Sequence, residues 1–270
     1  MIENVKKFVA PYVALDDPIP YKDLFICPVS VRNSSDFMFY ADVLCTEKNS
    51  IPDFEVIQMN YLDFVIDYLM QDKTVINETL QYTMGDLYKE KLLLVLAMCI
   101  KDVQNIMAYK KDNHNILCII VNVTDDKGNI VPRDVHINAQ EFDDIRRIIM
   151  YQNIYDYSDD YVNPEIKQAM EEYYKIVNKG MIDPELEDKI AALTAMTGLM
   201  KRDILTMTWR EFQNVFSVSL SKLDYQISKT AELSGMVKFD KPIKHWVYQR
   251  QQDKYKDAFT SYDKFKKKII

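Results

Sequence analysis

Glycine is scarce in this chain of 270 residues, which has five: Gly85, Gly128, Gly180, Gly198 and Gly235. The phosphate loops of nucleotide-binding proteins need several glycines within one short turn, because the backbone must approach the phosphates closely. No two glycines here lie that near to each other. The sequence therefore excludes both the P-loop and the dinucleotide loop, and so few turn glycines argue against an all-β sandwich.

Histidine is rarer still, with His114, His136 and His245 far apart in the chain. Neither a metal-binding spacing such as HxxxH or HExxH nor the nucleophile motif GxSxG occurs. We therefore predict no catalytic, metal-binding or cofactor-binding residue and no cofactor, and we expect the protein not to be an enzyme. An enzyme of an unrecognised type stays open as an alternative, because a single sequence does not reveal a polar pocket.

Long apolar runs and paired cysteines are missing as well. The longest apolar run, Leu92–Ile100, has nine residues, whereas a bilayer span needs roughly 20. The cysteines Cys27, Cys45, Cys99 and Cys118 are widely spaced among apolar neighbours, without a CxxC motif, so reduced thiols are expected. With no signal-peptide core at the N-terminus, the sequence predicts a cytosolic protein without membrane contact.

Negative charge prevails overall, with a formal net charge of −7 and a pI near 5.1. This balance argues against general attraction to nucleic acid or to anionic membranes. Residues 236–270 differ, because nine Lys and one Arg against four Asp give this segment +6 and leave −13 for the rest. Aromatic side chains alternate with basic ones there. The alternative function is therefore a nucleic-acid-associated factor that binds through this basic C-terminal tail.

The clearest strand pattern is a hairpin. The apolar run "NILCIIVNV" (115–123) is followed by the turn "TDDKGN" and by "IVPRDVHI" (130–137). Other segments repeat apolar residues at intervals of three and four, which is typical of amphipathic helices, and "GDLYKEKLLLVLAMCIKDVQN" (85–105) is predicted as one helix. The sequence thus predicts an α+β fold, predominantly α-helical, with one small antiparallel β-hairpin or sheet in the N-terminal half.

The segment "INAQEFDDIRRIIMYQN" (137–153) mixes acids, arginines and large apolar residues, so it is either an acid–base site or a core helix. Asn138 is a plausible N-cap. The apolar residues share one face at helical spacing, and the acids and arginines fall mainly on the other side. We therefore interpret the segment as a helix packed on the hairpin. Its apolar face consists of Phe142, Ile145, Ile148 and Ile149.

The segment "NIYDYSDDYVNP" is acidic and lacks helical periodicity, which indicates a linker. The sequence before it contains the predicted hairpin, and the sequence after it is helical throughout. We predict an α+β N-terminal lobe over residues 1–153, an acidic linker over 154–162, and a helical C-terminal lobe with a basic aromatic tail over 163–270.

A long helix is predicted in the C-terminal lobe. Thr208 and Glu211 form a capping box at its start, and Gly235 follows its predicted last residue, Leu233. About 25 residues give a helix roughly 37 Å long. The residues predicted on its apolar side include Phe212, Val215, Phe216, Leu220, Leu223 and Ile227.

Three segments resemble tail-morphogenesis proteins of tailed bacteriophages. In "IPYKDLFICPVSVRNSSDFMFYADVLCTEKNSIPD" (19–53), a short Pro-Val strand leads into an aromatic helix that ends in a Lys-Asn turn. The second segment is "INAQEFDDIRRIIMYQN". The third, "MTWREFQNVFSVSLSKLDYQISKTAELSGMVKFDKPIKHW" (207–246), has a capped helix, a Ser-Gly turn and an Ile-Lys-His-Trp element. Together the three segments cover about a third of the chain.

The resemblance implies a non-enzymatic role in tail or baseplate assembly through protein–protein binding. A tail-assembly chaperone would coat the tape-measure protein in the host cell cytoplasm, whereas a baseplate subunit would stay in the virion tail. Both roles stay open, as does self-association. The expected partners are tape-measure, tail-tube or baseplate subunits. The predicted partner-binding residues are Trp209, Phe212, Phe216, Lys244, His245, Trp246 and Tyr248.

Overall fold

The computed structural model describes residues 4–46, 48, 51, 53–125, 127–158, 184–235, 237–239 and 242–249, with the isolated positions 169, 172, 173 and 176. The chain divides into two compact units. The first is Met1–Asp159 with Leu205–Glu211, and the second is Asp160–Ile204 with Phe212–Ile270. The predicted linker at 154–162 lies partly outside the described residues, and the lobe boundaries stay a prediction.

Three antiparallel sheets occur in the described residues. The α+β class therefore fits, but the prediction of one small hairpin or sheet is wrong. The first sheet pairs β1 (Ile19–Tyr21) with β2 (Leu24–Ile26), and the second pairs β3 (Val75–Asn77) with β4 (Tyr82–Thr83). The third has the order β5–β6–β7, with β5 (Val103–Lys111), β6 (His114–Thr124) and β7 (Ile130–Ile137).

The prediction misses β5 because it continues the helix of residues 85–105 through the start of this strand. In the structure the helix ends at Cys99. Asp102 then adopts a left-handed φ of 55°, which turns the chain into β5. The strands β3 and β4 have three and two residues, too few to show the alternation by which strands are predicted.

The described residues contain nine α-helices. These are α1 (Val5–Leu15), α2 (Ser34–Cys45), α3 (Phe54–Gln58), α4 (Tyr61–Asp63), α5 (Met84–Cys99), α6 (Ala139–Asn153), α7 (Leu186–Thr197), α8 (Lys201–Thr206) and α9 (Trp209–Leu233). A π-helical stretch follows α4 at Phe64–Tyr68, and 3₁₀ turns occur at Val31–Asn33, Leu69–Gln71 and Trp246–Gln249.

Helix α6 is the central element of the first unit's core. Phe142, Ile145, Ile148 and Ile149 are all fully buried, so the predicted apolar face is confirmed. The side chain of Asn138 caps the first turn, as predicted. Helices α1 and α4 and strand β6 contact α6. Burial of each large aliphatic side chain contributes about 1.5–3 kcal/mol, which makes this helix a main source of the unit's stability.

One acid of α6 departs from the predicted arrangement. Asp144 is fully buried, although the sequence predicts the acids mainly on the outer side. Its carboxylate accepts hydrogen bonds from the Tyr21 hydroxyl and from the Arg147 guanidinium, both at 3.1 Å. A buried carboxylate is tolerated only when such partners replace water. Asp144 therefore ties β1 to α6 within the core.

The C-terminal end of α6 is a hub of buried hydrogen bonds. The Gln152 side-chain amide donates to the backbone carbonyls of Asp17 at 3.2 Å and Ile26 at 3.3 Å. The backbone N–H of Val29 donates to Asn153 Oδ1 at 2.7 Å. Both side chains are almost completely buried. They form hydrogen bonds with backbone groups at the end of β2 and next to the small sheet β1–β2. Without these side chains, water would have to reach those buried groups.

Residues Leu205–Glu211, here called the return segment, belong to the first unit despite their distance in sequence. Thr208 forms an antiparallel β-bridge with Ser30. The N–H of Trp209 donates to the carbonyl of Val29 at 2.6 Å. The return segment thus adds a backbone pairing beside the hub.

Arg210 of the return segment caps α6. Its Nη1 donates to the carbonyl oxygens of Tyr151 and Ile154, both at 2.6 Å, and its guanidinium lies 5.6 Å from the Tyr155 ring centre. The last carbonyls of a helix lack partners within the helix and carry partial negative charge. A cation from a distant segment satisfies them here. Burial lowers the pKa of Arg210 from its usual value.

The sheet β5–β6–β7 packs one face on the core. Leu117, Ile119 and Val121 of β6 are buried on that face. A two-residue turn, Asp112–Asn113, joins β5 to β6, and both residues have positive φ, of 50° and 62°. This is the geometry of a type I′ turn, whose twist matches that of the flanking strands.

Replacing Arg210 by Ala is expected to destabilise the first unit by about 2–3 kcal/mol, because hydrogen bonds from a charged donor contribute about 1.5–3 kcal/mol. Arg210→Lys keeps the charge at the helix end but loses the forked donor, so a smaller loss is expected. Hydrogen exchange of the α6 amides, read by mass spectrometry, measures both variants. Unchanged protection in Arg210→Ala would contradict the capping role.

Stability is also expected to fall at alkaline pH. Burial raises the pKa of the Tyr61 phenol well above its usual value of 10.0, although the Arg146 guanidinium, 4.3 Å from the ring centre, opposes this shift. The folded state thus holds the proton more tightly than the unfolded chain. The contribution of Tyr61 to the free energy of unfolding is therefore fully present below about pH 10 and is lost as the pH rises above that value. Urea unfolding between about pH 8 and 11 measures this decline.

Tyr61→Phe is the matched variant, because Phe cannot ionise. It loses the hydrogen bonds that the hydroxyl donates to the carbonyls of Val43 and Thr46, which costs about 1 kcal/mol at neutral pH. Its stability should then fall less steeply above pH 10 than that of the wild type. Parallel declines in the two proteins would assign the alkaline loss to other groups.

Candidate protein-binding surface

Helix α9 has the limits that the sequence predicts. It runs from Trp209 to Leu233, and the Thr208 hydroxyl accepts a hydrogen bond from the N–H of Glu211 at 3.1 Å. After its last residue, Gly235 adopts a left-handed φ of 71°, as expected for a helix stop. At 25 residues the helix is roughly 37 Å long, about the diameter of a small domain.

Half of the six residues predicted on the apolar side of α9 are exposed. All 25 residues of the helix are described, and Phe212 alone among them is fully buried. Leu220, Leu223 and Ile227, here called the apolar stripe, are 41%, 42% and 60% exposed. They follow one another at intervals of three and four, so they share one side of the helix. An exposed row of this kind marks an interaction site more often than scattered apolar residues do.

The charges beside the apolar stripe balance. Lys222 and Asp224 lie next to Leu223 in sequence and are exposed. Further along, Lys229 Nζ contacts Glu232 Oε2 at 2.7 Å, and this hydrogen bond raises the pKa of Lys229. The surface therefore offers apolar contact without a net charge that would select a basic or an acidic partner.

A second part of α9 contacts the segment that follows it. The rings of Tyr225 and His245 lie 5.0 Å apart, and those of His245 and Trp246 lie 5.4 Å apart. The backbone N–H of Val247 donates to His245 Nδ1 at 3.3 Å, which orients the imidazole. Residues 245–247 thus form an aromatic turn against the helix.

The seven residues predicted to bind partners fall into separate groups. Phe212 and Phe216 stack with ring centres 6.1 Å apart. Lys244 is exposed, whereas His245 and Trp246 form the aromatic turn. Trp209 belongs to the first unit and packs against its core. The side chain of Tyr248 lies outside the described residues.

The sequence pattern predicts Leu220, Leu223 and Ile227 on the apolar side of the helix but assigns none of them a binding role. Their spacing was the available signal. It could not separate a buried face from an exposed one, because both produce the same periodicity. Tyr225 carried no signal, since a single aromatic on a helix has no pattern of its own.

A groove elsewhere in the molecule does not form an anion site. It lies between the β5–β6 turn, where Lys111 and His114 line it, and the start of α6. A helix N-terminus attracts anions through its N–H groups. Here the N–H groups of Gln140 and Glu141 already donate to Asn138 Oδ1, both at 3.0 Å. The donors that an anion would need are occupied.

Within the described residues, no three or more His, Cys, Asp or Glu side chains are grouped so that they could hold a metal ion. No helix in that part of the chain combines the length and the apolar character needed to cross a bilayer. No protein-family model, curated protein or solved structure matches the chain.

The accessible and the buried parts of α9 should respond differently to substitution. Leu223→Gln with Ile227→Gln is expected to change the free energy of unfolding by less than about 1 kcal/mol, because both side chains already contact water. Phe212→Ala is expected to cost about 3–5 kcal/mol. Urea unfolding of the three proteins makes the comparison. A large loss in the double variant would show that the apolar stripe is covered in solution.

Proposed function

We propose that the chain is a non-enzymatic assembly protein of a bacteriophage tail or baseplate that binds partner proteins through the apolar stripe of α9. The observation that carries the proposal is the exposure of Leu220, Leu223 and Ile227 along one side of a long helix. The phage assignment is supported by the three sequence segments that resemble tail-morphogenesis proteins. Its expected setting is the host cytoplasm during assembly.

An amphipathic partner helix is the occupant that fits this surface best. Helices bind one another through side chains spaced three and four residues apart, and the apolar stripe has this spacing. Its balanced charges leave shape and apolar contact as the means of recognition. A tape-measure protein, which is long and helical, offers such helices in many copies.

The size of the apolar stripe favours a transient role. Burying the exposed parts of three aliphatic side chains contributes roughly 1 kcal/mol each. A micromolar complex needs about 8 kcal/mol at standard state. The apolar stripe therefore supports a contact that another protein can displace, as tube subunits would displace a chaperone. This balance makes the tail-assembly chaperone the first choice and the permanent baseplate subunit the second.

The test uses a triple variant, Leu220→Gln with Leu223→Gln and Ile227→Gln. Its matched control carries Ala in place of Lys222, Gln226 and Thr230, which are exposed polar residues of the same helix. Each tagged full-length protein is recovered from infected cells, and bound tail proteins are identified by mass spectrometry. Wild type and control should retain the tape-measure protein, and the triple variant should lose most of it.

Purified virions separate the two roles. Absence of the chain from the particle, with tape-measure protein bound in cells, supports the chaperone. Stoichiometric presence in the particle would instead identify a baseplate or tail subunit. Recovery of no tail protein by the wild type would overturn the proposal. Nucleic-acid binding that falls steeply with salt and disappears on deletion of residues 236–270 would support the nucleic-acid alternative instead.

A further inference from the structure

The sheet β5–β6–β7 has two edges, and its hydrogen-bond alternation shows which backbone groups point outward. The two-residue turn makes Lys111 and His114 a hydrogen-bonded pair, and bonded and non-bonded pairs alternate from there along β5. Ile106, Ala108 and Lys110 therefore direct their N–H and C=O groups away from β6. Consistent with this, the N–H of Ile106 donates to the side chain of Asn105 at 2.9 Å.

The β7 edge is protected against further pairing. Pro132 occupies an outward position and has no N–H to donate. The carbonyl of His136, two outward positions further on, accepts a hydrogen bond from Lys22 Nζ at 3.1 Å. Arg133 and Asp23 form an ion pair at 2.7 Å beside it. Proline and charged side chains are the usual means by which proteins block an edge strand.

The β5 edge lacks most of this protection. Its nine residues include no proline, and all but Val103 and Ile106 are exposed. Lys110 and Lys111 are its only charged residues, at one end, and Lys110 is held by Asp67 at 2.9 Å. The stretch from Asn105 to Tyr109 therefore offers outward backbone groups without a charged side chain among them.

We infer that β5 pairs antiparallel with β5 of a second copy of this chain, centred on Met107, so that two three-stranded sheets join into one of six strands. With this centre, Ala108 of one copy lies opposite Ile106 of the other. Both residues point their backbone groups outward, so each such pair can exchange two hydrogen bonds. Met107 faces its own counterpart as a non-bonded pair, whose side chains lie closest together.

Charge favours this register. In the register centred on Met107, Lys111 of each copy lies opposite the uncharged Val103 of the other. A pairing centred on Lys110 would instead place two lysines face to face, which is destabilising. The register centred on Met107 therefore pairs the uncharged middle of β5 with itself and keeps the lysines of the two copies apart.

The expected dimer is weak. One strand edge buries less than the roughly 800 Å² per partner of a standard interface. A dissociation constant of micromolar order or weaker follows, so the dimer should depend on concentration. Sedimentation velocity of the full chain from about 1 to about 200 µM spans this range.

Ala108→Pro tests the edge directly. Proline removes an outward N–H that no acceptor within the sheet uses, so β5 should keep its pairing with β6. The dimer dissociation constant should rise at least about tenfold. Asp134→Pro is the matched control, because it removes an outward N–H from the protected β7 edge and should leave the dimer intact. An undiminished dimer in Ala108→Pro, with circular dichroism unchanged, would overturn the inference.

A second measurement does not depend on proline. Met107→Cys should form a disulfide-linked dimer under mild oxidation, since Cα atoms of non-bonded pairs lie about 4.5 Å apart. Asn105→Cys should not, because its counterpart lies about 13 Å away along the strands. Wild-type protein gives the background from the native cysteines. A monomer at every concentration, without cross-linking at Met107→Cys, refutes the pairing.

The inference is separable from the proposed function. The triple variant of the apolar stripe should dimerise as the wild type does, because α9 takes no part in the strand pairing. Loss of the dimer in that variant would place the self-association on α9 and overturn the β5 pairing. A chain that stays monomeric but binds an extended peptide on β5 would show that the edge pairs with another protein, and it would overturn the pairing with a second copy.

Discussion

Hydrogen bonding of the backbone groups around the C-terminal end of α6 is the interaction on which the first unit depends. A helix that ends inside a core leaves carbonyl oxygens that water cannot reach, and each costs free energy unless a donor is supplied. Arg210 supplies two such bonds from a segment more than fifty residues away. Gln152 and Asn153 at the same end bind the backbone around β2. One helix terminus thus orders the small sheet and the return segment together.

The parts of the fold that could be predicted are those with local causes. The hairpin β6–β7, the apolar face of α6 and both ends of α9 follow from alternation, spacing and capping residues within a few positions. The buried hydrogen bonds of Gln152 and Asn153 have no such local sequence signal. In the sequence, Gln152 and Asn153 are ordinary polar residues near a helix end, and only tertiary packing buries them. The strand β5 follows a strong helix, which concealed its start, and β3 and β4 are too short for any pattern.

For the candidate surfaces too, the sequence pattern predicts which residues share one side of an element, but not whether that side is exposed. Periodicity gave the members of the apolar stripe, but their accessibility depends on what surrounds α9, which periodicity does not encode. Trp209 is predicted to bind a partner, yet it packs against the core of the first unit. For the edge of the sheet the informative residue was Pro132. Its position in β7 gains meaning only when the strand order and register reveal which edge it closes.

The return segment also has a consequence for the order in which the chain can fold during synthesis. A ribosome completes β7 and α6 long before it reaches residue 210, so the nascent first unit exposes the carbonyls of Val29, Tyr151 and Ile154 in the meantime. These hydrogen bonds form only when residues 205–211 have left the exit tunnel. Completion of the first unit therefore waits for the synthesis of the sequence that lies between.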